Sequence, residues 1–270
     1  MKQLFAFLLL LSLASAEFIL ESIDVTVSDI QPDGSATVKE NLKFMVKGNY
    51  SRALYDSGLN TKDDLSFWTS NTGIGDIRQH LNPAVVVIDN FKMQPQPRSG
   101  CNPFLDTCHG GLLIGYTIRP VYSNSEPVNG TGLFFIDSLK PRTTRYVLNP
   151  AALSFTPTEG GNMLIGPNVK FNVRLPQGSS LIEVDPEPTT SSESSQGKVL
   201  SWTDMVLVRF SLVFDVEESI GKEASDFFSE MILAFQNTAS STHGLSFLAM
   251  LGILVGSYIY INLAKKKKEE

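Results

Sequence analysis

The spacing of apolar residues divides the chain into parts with different structural signatures. Through residues 17–216, apolar side chains recur at every second position in short runs, which is typical of strands with one buried face. Residues 217–237 space them at three and four positions, which is typical of a helix. Two stretches near the chain ends, 4–11 and 244–264, are continuously apolar.

The clearest evidence for strands is at the start of residues 17–216. Runs 18–30 and 36–46 flank a turn containing Pro32, Asp33 and Gly34, which predicts a β-hairpin because Pro presets φ and Gly tolerates positive φ. Further strands are predicted at 84–88, 112–121, 133–136, 145–148, 169–175, 181–184, 198–202 and 205–216. Many short strands separated by turns predict a mainly β fold, an antiparallel β-sandwich spanning residues 17–216.

Two segments interrupt the strands. Asn60 is positioned to cap a short helix over 61–69, with acidic residues in its first turn. Residues 185–197 are polar apart from two prolines and predict a solvated loop between strands.

The helical pattern of 217–237 has one apolar stripe, formed by Ile220, Ala224, Phe227, Phe228, Met231 and Phe235. We expect this amphipathic helix to pack on the sandwich, and the alternative is a face that binds another protein. Residues 238–243 are mainly small and polar, and they are predicted to form a linker.

The two apolar ends predict a single-pass membrane protein. Residues 1–16 resemble a secretory signal peptide, with Lys2, an apolar stretch and small residues up to Ala16; the alternative is an uncleaved anchor. Residues 244–264 contain no charge and match the length of a transmembrane helix, so the bilayer is one predicted partner. The lysines within the tail 265–270 place that tail in the cytoplasm and the body outside.

Charge narrows the range of partners. The chain has 270 residues and a net charge of −6. Lys2, four tail lysines and the final two glutamates lie outside residues 17–243, which leaves a charge of −9 on the predicted outer part. This acidic balance argues against nucleic acid as the main partner and should hold the body off anionic lipid.

The two cysteines, Cys101 and Cys108, are close in sequence and lie in a predicted loop. On the exported side, such a pair predicts a disulfide. Metal binding with His109 and Asp106 is the alternative, although the spacing matches no standard zinc pattern. A nucleophile pair of Cys108 and His109 is less favoured still, since neighbours in a strand point apart.

The sequence contains no catalytic motif around its other histidines, His80 and His243. We therefore predict no catalytic, cofactor-binding or metal-binding residues, and a protein that is not an enzyme. Asn49 and Asn129 stand in N-glycosylation triplets. Gly252 and Gly256 form a Gly-x-x-x-Gly pattern in the predicted span, which permits a homodimer.

The tail also bears on location. Lys267 and Lys268 resemble the dilysine retrieval signal of endoplasmic-reticulum membrane proteins. The alternative is simple anchoring by four lysines, which we prefer. The cell membrane, with the N-terminus outside, is therefore the predicted location, and the endoplasmic-reticulum membrane with a lumenal N-terminus is the alternative.

Residues 30–44, with Asp33-Gly34-Ser35, Val38 and Glu40, resemble the first hairpin of an uncharacterised family of exported, membrane-anchored proteins of archaeal and bacterial type. Segments 146–150, 173–178 and 216–218 also resemble archaeal proteins of this broad type. The family has no assigned chemistry, so the resemblance implies an architecture and no site. Many members carry several spans, whereas this chain has one predicted span.

The sequence thus favours a non-enzymatic interaction module, or an accessory subunit of a membrane complex, whose partner is another membrane or surface protein. The alternative is a membrane-tethered hydrolase or ligand-binding protein. A pocket that converges on His80, His109 or clustered carboxylates would favour the alternative. An exposed apolar patch would favour the interaction module.

Overall fold

The computed structural model describes residues 16–60, 64–124, 126–140 and 142–217. Several predicted segments lie outside the described residues: signal peptide residues 1–15, helix residues 218–237, the linker 238–243, the span 244–264 with Gly252 and Gly256, and the tail 265–270. Across the described ranges, every helix is too short or too polar to cross a membrane.

The described chain is mainly β, as predicted. Its strands are β1 Glu17–Ser28, β2 Ala36–Lys47, β3 Val87–Asn102, β4 Thr107–Arg119, β5 Tyr122–Ser123, β6 Glu126–Pro127, β7 Phe134–Lys140, β8 Thr143–Leu148, β9 Thr156–Pro157, β10 Met163–Arg174, β11 Ser179–Asp185, β12 Thr190–Ser194, β13 Gly197–Leu207 and β14 Ser211–Glu217. The helices are α1 Gly48–Gly58, α2 Leu65–Thr72 and a 3₁₀ turn at Pro150–Ala152.

The larger sheet has eight strands in the order β12-β13-β10-β1-β2-β4-β3, with β9 beside β10. Most neighbours are antiparallel, but β1 and β10 run parallel, with Ile23 opposite Val169 and Val27 opposite Val173. The predicted antiparallel pairing therefore holds for the other neighbours in this sheet but not for β1 and β10. Turn signals reveal only hairpin neighbours, whereas this pair joins segments far apart in the chain, which leaves no local signature.

The smaller sheet contains four strands in the order β11-β14-β8-β7. Both sheets contribute to one hydrophobic core, which includes Ile23, Leu42, Ile114, Phe171 and Trp202 from the larger sheet and Phe134, Tyr146 and Phe214 from the smaller one. Two sheets that bury apolar faces in a shared core are consistent with a β-sandwich.

The first predicted hairpin is confirmed. Strands β1 and β2 pair from Glu17 opposite Lys47 to Ser28 opposite Thr37. In the turn, the Gly34 amide donates to the Gln31 carbonyl at 2.9 Å, and Gly34 has a φ of 79°. Its position therefore requires the left-handed conformation that glycine adopts without a steric cost.

Other predicted elements differ from the structure. The loop predicted over 185–197 contains strand β12, whose polar side chains are all exposed because it pairs only with β13 at the sheet edge. The strand predicted at 84–88 begins only at Val87 and continues to Asn102. Helix α2 begins at Leu65, where the carboxylate of Asp64, rather than Asn60, accepts the capping hydrogen bond from the Phe67 amide at 3.1 Å.

Candidate functional site

The disulfide lies at the end of the β3–β4 hairpin. Cys101 is in β3 and Cys108 in β4, with their Cα atoms 4.0 Å apart. The predicted disulfide is confirmed, although both cysteines lie on strands rather than within a loop. The bond ties the two strands together immediately beside the turn formed by residues 103–106, which the strand ends Asn102 and Thr107 flank.

That turn exposes two large apolar side chains. Phe104 is 97% exposed and Leu105 is 65% exposed. The Asn102 carboxamide oxygen accepts hydrogen bonds from the Phe104 amide at 2.9 Å and the Leu105 amide at 3.3 Å. We call residues 102–107 the tip. Its backbone is held by these bonds, so the two apolar side chains are presented from a fixed turn.

Helix α1 supports the tip through ion pairs. The guanidinium of Arg98 in β3 donates to both carboxylate oxygens of Asp56 in α1, at 2.7 and 2.6 Å. This hydrogen bonding holds the pKa of Asp56 below its ordinary value of 3.8. Arg52 of α1 pairs with Asp106 of the tip, and the Gly48 amide donates to the Asp106 carbonyl at 2.9 Å.

Tyr55 joins α1 to the base of the same hairpin. Its ring is buried, and its hydroxyl donates to the Gln96 carbonyl and accepts from the Gly111 amide at 3.0 Å. A Cβ at Gly110 would lie 2.6 Å from the Tyr55 ring, so glycine is required for this close approach. Burial raises the pKa of the Tyr55 hydroxyl, which stays neutral and keeps its proton for donation.

The charges around the tip are paired within the chain. His109 Nδ1 lies 2.9 Å from a carboxylate oxygen of Glu21, and the Lys47 ammonium lies 2.9 Å from that of Glu17. Together with the two pairs of α1, these contacts form the rim of the tip. The rim therefore offers an external partner little uncompensated charge.

His80, the other histidine in the described chain, belongs to a buried polar cluster. Glu40 accepts from the His80 amide at 3.0 Å and from the Tyr116 hydroxyl, and it contacts His80 Nδ1 at 2.8 Å. All three residues are almost fully buried. Burial, followed by the nearby Glu40 carboxylate, strongly raises the pKa of Tyr116. The Glu40 carboxylate thus gives the His80 amide, His80 Nδ1 and the Tyr116 hydroxyl a hydrogen-bonding partner inside the core.

Five clefts on the described surface have volumes of about 270–560 Å³. Neither His80 nor His109 lines any of these five. A search of the described residues finds no group of three His, Cys, Asp or Glu side chains placed to share a metal ion. The metal-binding alternative for Cys101 and Cys108 is excluded by their disulfide bond.

Both predicted glycosylation sites are exposed. Asn129 lies in a turn, whereas Asn49 lies in the first turn of α1 rather than in a loop. The Asn49 carboxamide oxygen accepts from Arg52 at 2.7 Å, which places this side chain beside the rim. Exposure is compatible with modification, and the use of either site stays a prediction.

Sequence reasoning identified the cysteines but not the tip. The signal was present, since Phe104 and Leu105 are adjacent apolar residues inside a short turn closed by cysteines. The partners Arg98 and Asp56 are 42 residues apart and have no recognisable spacing. The sequence matches no model of a known protein family and no curated protein.

Proposed function

We propose that this chain is a single-pass membrane protein whose outer β-sandwich binds another membrane or surface protein through the tip. It would act as a non-enzymatic interaction module or as an accessory subunit of a membrane complex. The observation that carries this proposal is the exposure of Phe104 and Leu105 on a disulfide-closed turn supported by α1.

The energetics favour such a contact. Full burial of a Phe side chain in a partner's pocket contributes about 1.5–3 kcal/mol, and an adjacent Leu adds to this. The disulfide and the hydrogen bonds of Asn102 already order the tip, so binding has a small entropic cost. An aromatic anchor on a preorganised turn is typical of the central residue of an interface.

The rim indicates the chemistry of the partner. Because Lys47, Arg98 and Arg52 pair with Glu17, Asp56 and Asp106, the partner needs an apolar socket rather than a charged one. Binding should then depend weakly on ionic strength. The same pairing argues against insertion into anionic lipid, which is usually assisted by unpaired basic residues.

The membrane part of the proposal comes from the sequence. The apolar segment 244–264 and the lysines that follow it support a span, and residues 1–16 support export. The cell membrane is the proposed location, with the endoplasmic-reticulum membrane as the alternative. Close contact through Gly252 and Gly256 would permit a homodimer.

The hydrolase or ligand-binding alternative has less support. The imidazole of His80 lies in the core with Glu40, and His109 pairs with Glu21 on the rim. Neither histidine lines one of the five clefts described above. No observation on the described surface favours this alternative over binding through the tip.

The test uses the full chain, crosslinked and solubilised from its own membrane. We expect F104S/L105S to lower recovery of a specific partner at least about tenfold, because it removes the apolar anchor without touching the core. The control V208S/I182S changes two other exposed apolar residues, and it should retain the partner. Equal recovery with both variants, or equal loss, would contradict the proposal.

A further inference from the structure

A second surface differs in character from the tip. The face of the eight-stranded sheet that points away from the core carries basic side chains from three strands: Lys39 and Lys43 of β2, Lys92 of β3, and Lys170 and Arg174 of β10. We call this surface the basic face. Its four lysines are exposed, and Arg174 is partly exposed.

The basic face has uncompensated charge. Within the described chain, none of its five basic side chains forms an ion pair, and the only hydrogen bond of the Arg174 guanidinium is donated to Gln196 at 2.8 Å. Two acidic residues lie beside them: Asp24 is opposite Lys170, and Asp29 lines a cleft together with Lys39 and Arg174. By contrast, Lys47 and Arg119 at the margins of this face pair with Glu17 and Asp89. The basic face therefore carries a net positive charge on a chain whose net charge is −6.

Strand register fixes the spacing of the charges. Lys39 and Lys92 both lie opposite Gly115, on either side of β4, which puts their Cα atoms about 10 Å apart. Lys43 lies four residues from Lys39 on β2, or about 13 Å along the strand. A Cβ at Gly115 would meet no atom within 4 Å, so the floor between the two flanking lysines is open. The charges suit an extended ligand.

Neutral hydrogen-bonding groups lie between the charges. Thr26 and Asn41 occupy the neighbouring rows of the face, and Gln94 lies opposite Leu113. These side chains supply the donors and acceptors that hydroxyl and carboxylate groups require. The one large apolar side chain among these rows is Leu113, which is 40% exposed.

We propose that the basic face binds an anionic polysaccharide, one that carries carboxylate or sulfate groups along an extended chain. Nucleic acid is less favoured because none of the residues named on this face is aromatic, which leaves no platform for base stacking. A bilayer is less favoured because few exposed large apolar side chains, among them Leu113 and, beyond Lys43, Ile19, lie on this side of the sheet in the described chain. A protein interface would be poorer in lysine. Four of the five basic groups are lysines, whose flexible ammonium groups suit dispersed anions.

The experiment measures binding of the full chain in detergent to heparin, hyaluronan and neutral dextran at low salt. We expect binding to at least one of the two anionic chains, none to dextran, and a loss of about tenfold or more when salt is raised to about 0.5 M. K39Q/K92Q should lower the affinity at least about tenfold. The control K140Q/K198Q removes two positive charges that lie elsewhere on the protein, and it should change the affinity by less than about twofold.

Two further probes distinguish other anionic partners. Polyglutamate stands for an acidic protein, and vesicles of phosphatidylserine stand for an anionic bilayer. Tighter binding to either of these than to both polysaccharides would overturn the proposal, and so would equal effects of the two double variants or an absence of polysaccharide binding. Because F104S/L105S leaves the basic face intact, it should bind polysaccharide like the natural chain, so this proposal and the function of the tip can fail separately.

Discussion

The tip and the basic face both include parts of β3 and β4, but their charged side chains differ: those around the tip are paired within the described chain, and those on the basic face are not. Around the tip, Arg98 and Arg52 are neutralised by Asp56 and Asp106, and the exposed groups are apolar. On the basic face, Lys39 and its neighbours form no ion pairs within the described chain, and apolar groups are scarce. Adjacent parts of one sheet can therefore present an apolar surface at the end of a hairpin and a cationic surface on the outer face. Salt should separate them, because it screens only the second.

The largest expected effect comes from the core beneath both surfaces. Glu40→Ala would leave the His80 and Tyr116 donors buried without their acceptor, at about 1–3 kcal/mol for each lost partner. We expect the free energy of unfolding to fall by about 3 kcal/mol or more, and both surfaces to lose binding together. Denaturant unfolding measures the first effect and the two binding assays measure the second.

The matched control is Glu193→Ala on the exposed edge strand β12, which should change the free energy of unfolding by less than about 0.5 kcal/mol. If the Glu40 variant unfolded like this control, the buried cluster would not be a structural element. The comparison also shows what a non-specific loss of both binding activities looks like.

The next largest effect should impair binding at the tip and leave binding at the basic face unchanged. Replacing Cys101 and Cys108 by Ser removes the constraint on an eight-residue loop, which stabilises a folded chain by about 2–3 kcal/mol. We expect lower stability and loss of partner binding at the tip, while polysaccharide binding by the folded fraction persists. Loss of polysaccharide binding alone, with the tip still active, would reverse the assignment of the two surfaces.

The smallest expected effect is a pH dependence of the ion pair between Asp56 and Arg98, which holds α1 against the hairpin that bears the tip. Because the folded-state pKa of Asp56 is lowered by Arg98, their contact contributes stability above the ordinary carboxyl pKa of 3.8. That contribution is lost as pH falls through the lower folded-state value. The hydrogen-exchange protection factors of residues 98–108, which are corrected for the intrinsic pH dependence of amide exchange, should therefore fall on acidification from about pH 5 to pH 2.

Asp56→Asn cannot titrate and provides the matched control. Its protection factors over residues 98–108 should already be lower at pH 5, and they should fall less on acidification. Other carboxyls with lowered pKa values, such as Asp215 beside Arg145, affect both proteins equally. Identical acid profiles for the natural chain and this variant would show that the ion pair does not hold the tip.

Local signals accounted for much of the fold. The first hairpin was predictable because alternation on both sides of the turn at Gly34 specifies strands, faces and connection together. The disulfide was predictable from two closely spaced cysteines. Most of β3 was missed because Gln, Pro and Arg residues interrupt its apolar alternation, so the strand is defined by pairing with β4.

The tip and the basic face depend on contacts between distant segments. The parallel pairing of β1 with β10 brings Lys170 and Arg174 to the same face as Lys39, and no local pattern predicts that pairing. Helix α1 was also missed, although its Tyr55 and Asp56 contact the hairpin that bears the tip. Its sequence is mostly polar and begins and ends with glycine, so intrinsic propensity gives little helical signal, and its contacts with the hairpin stabilise it.

The most direct test of the proposed function is photocrosslinking in intact membranes. A photoreactive phenylalanine analogue is placed at Phe104 in one protein and at the exposed Ile182 in a second. Binding through the tip predicts a discrete adduct with one partner protein from position 104, unchanged at about 0.5 M salt and missing from position 182. Adducts with lipid alone, or the same adducts from both positions, would contradict it.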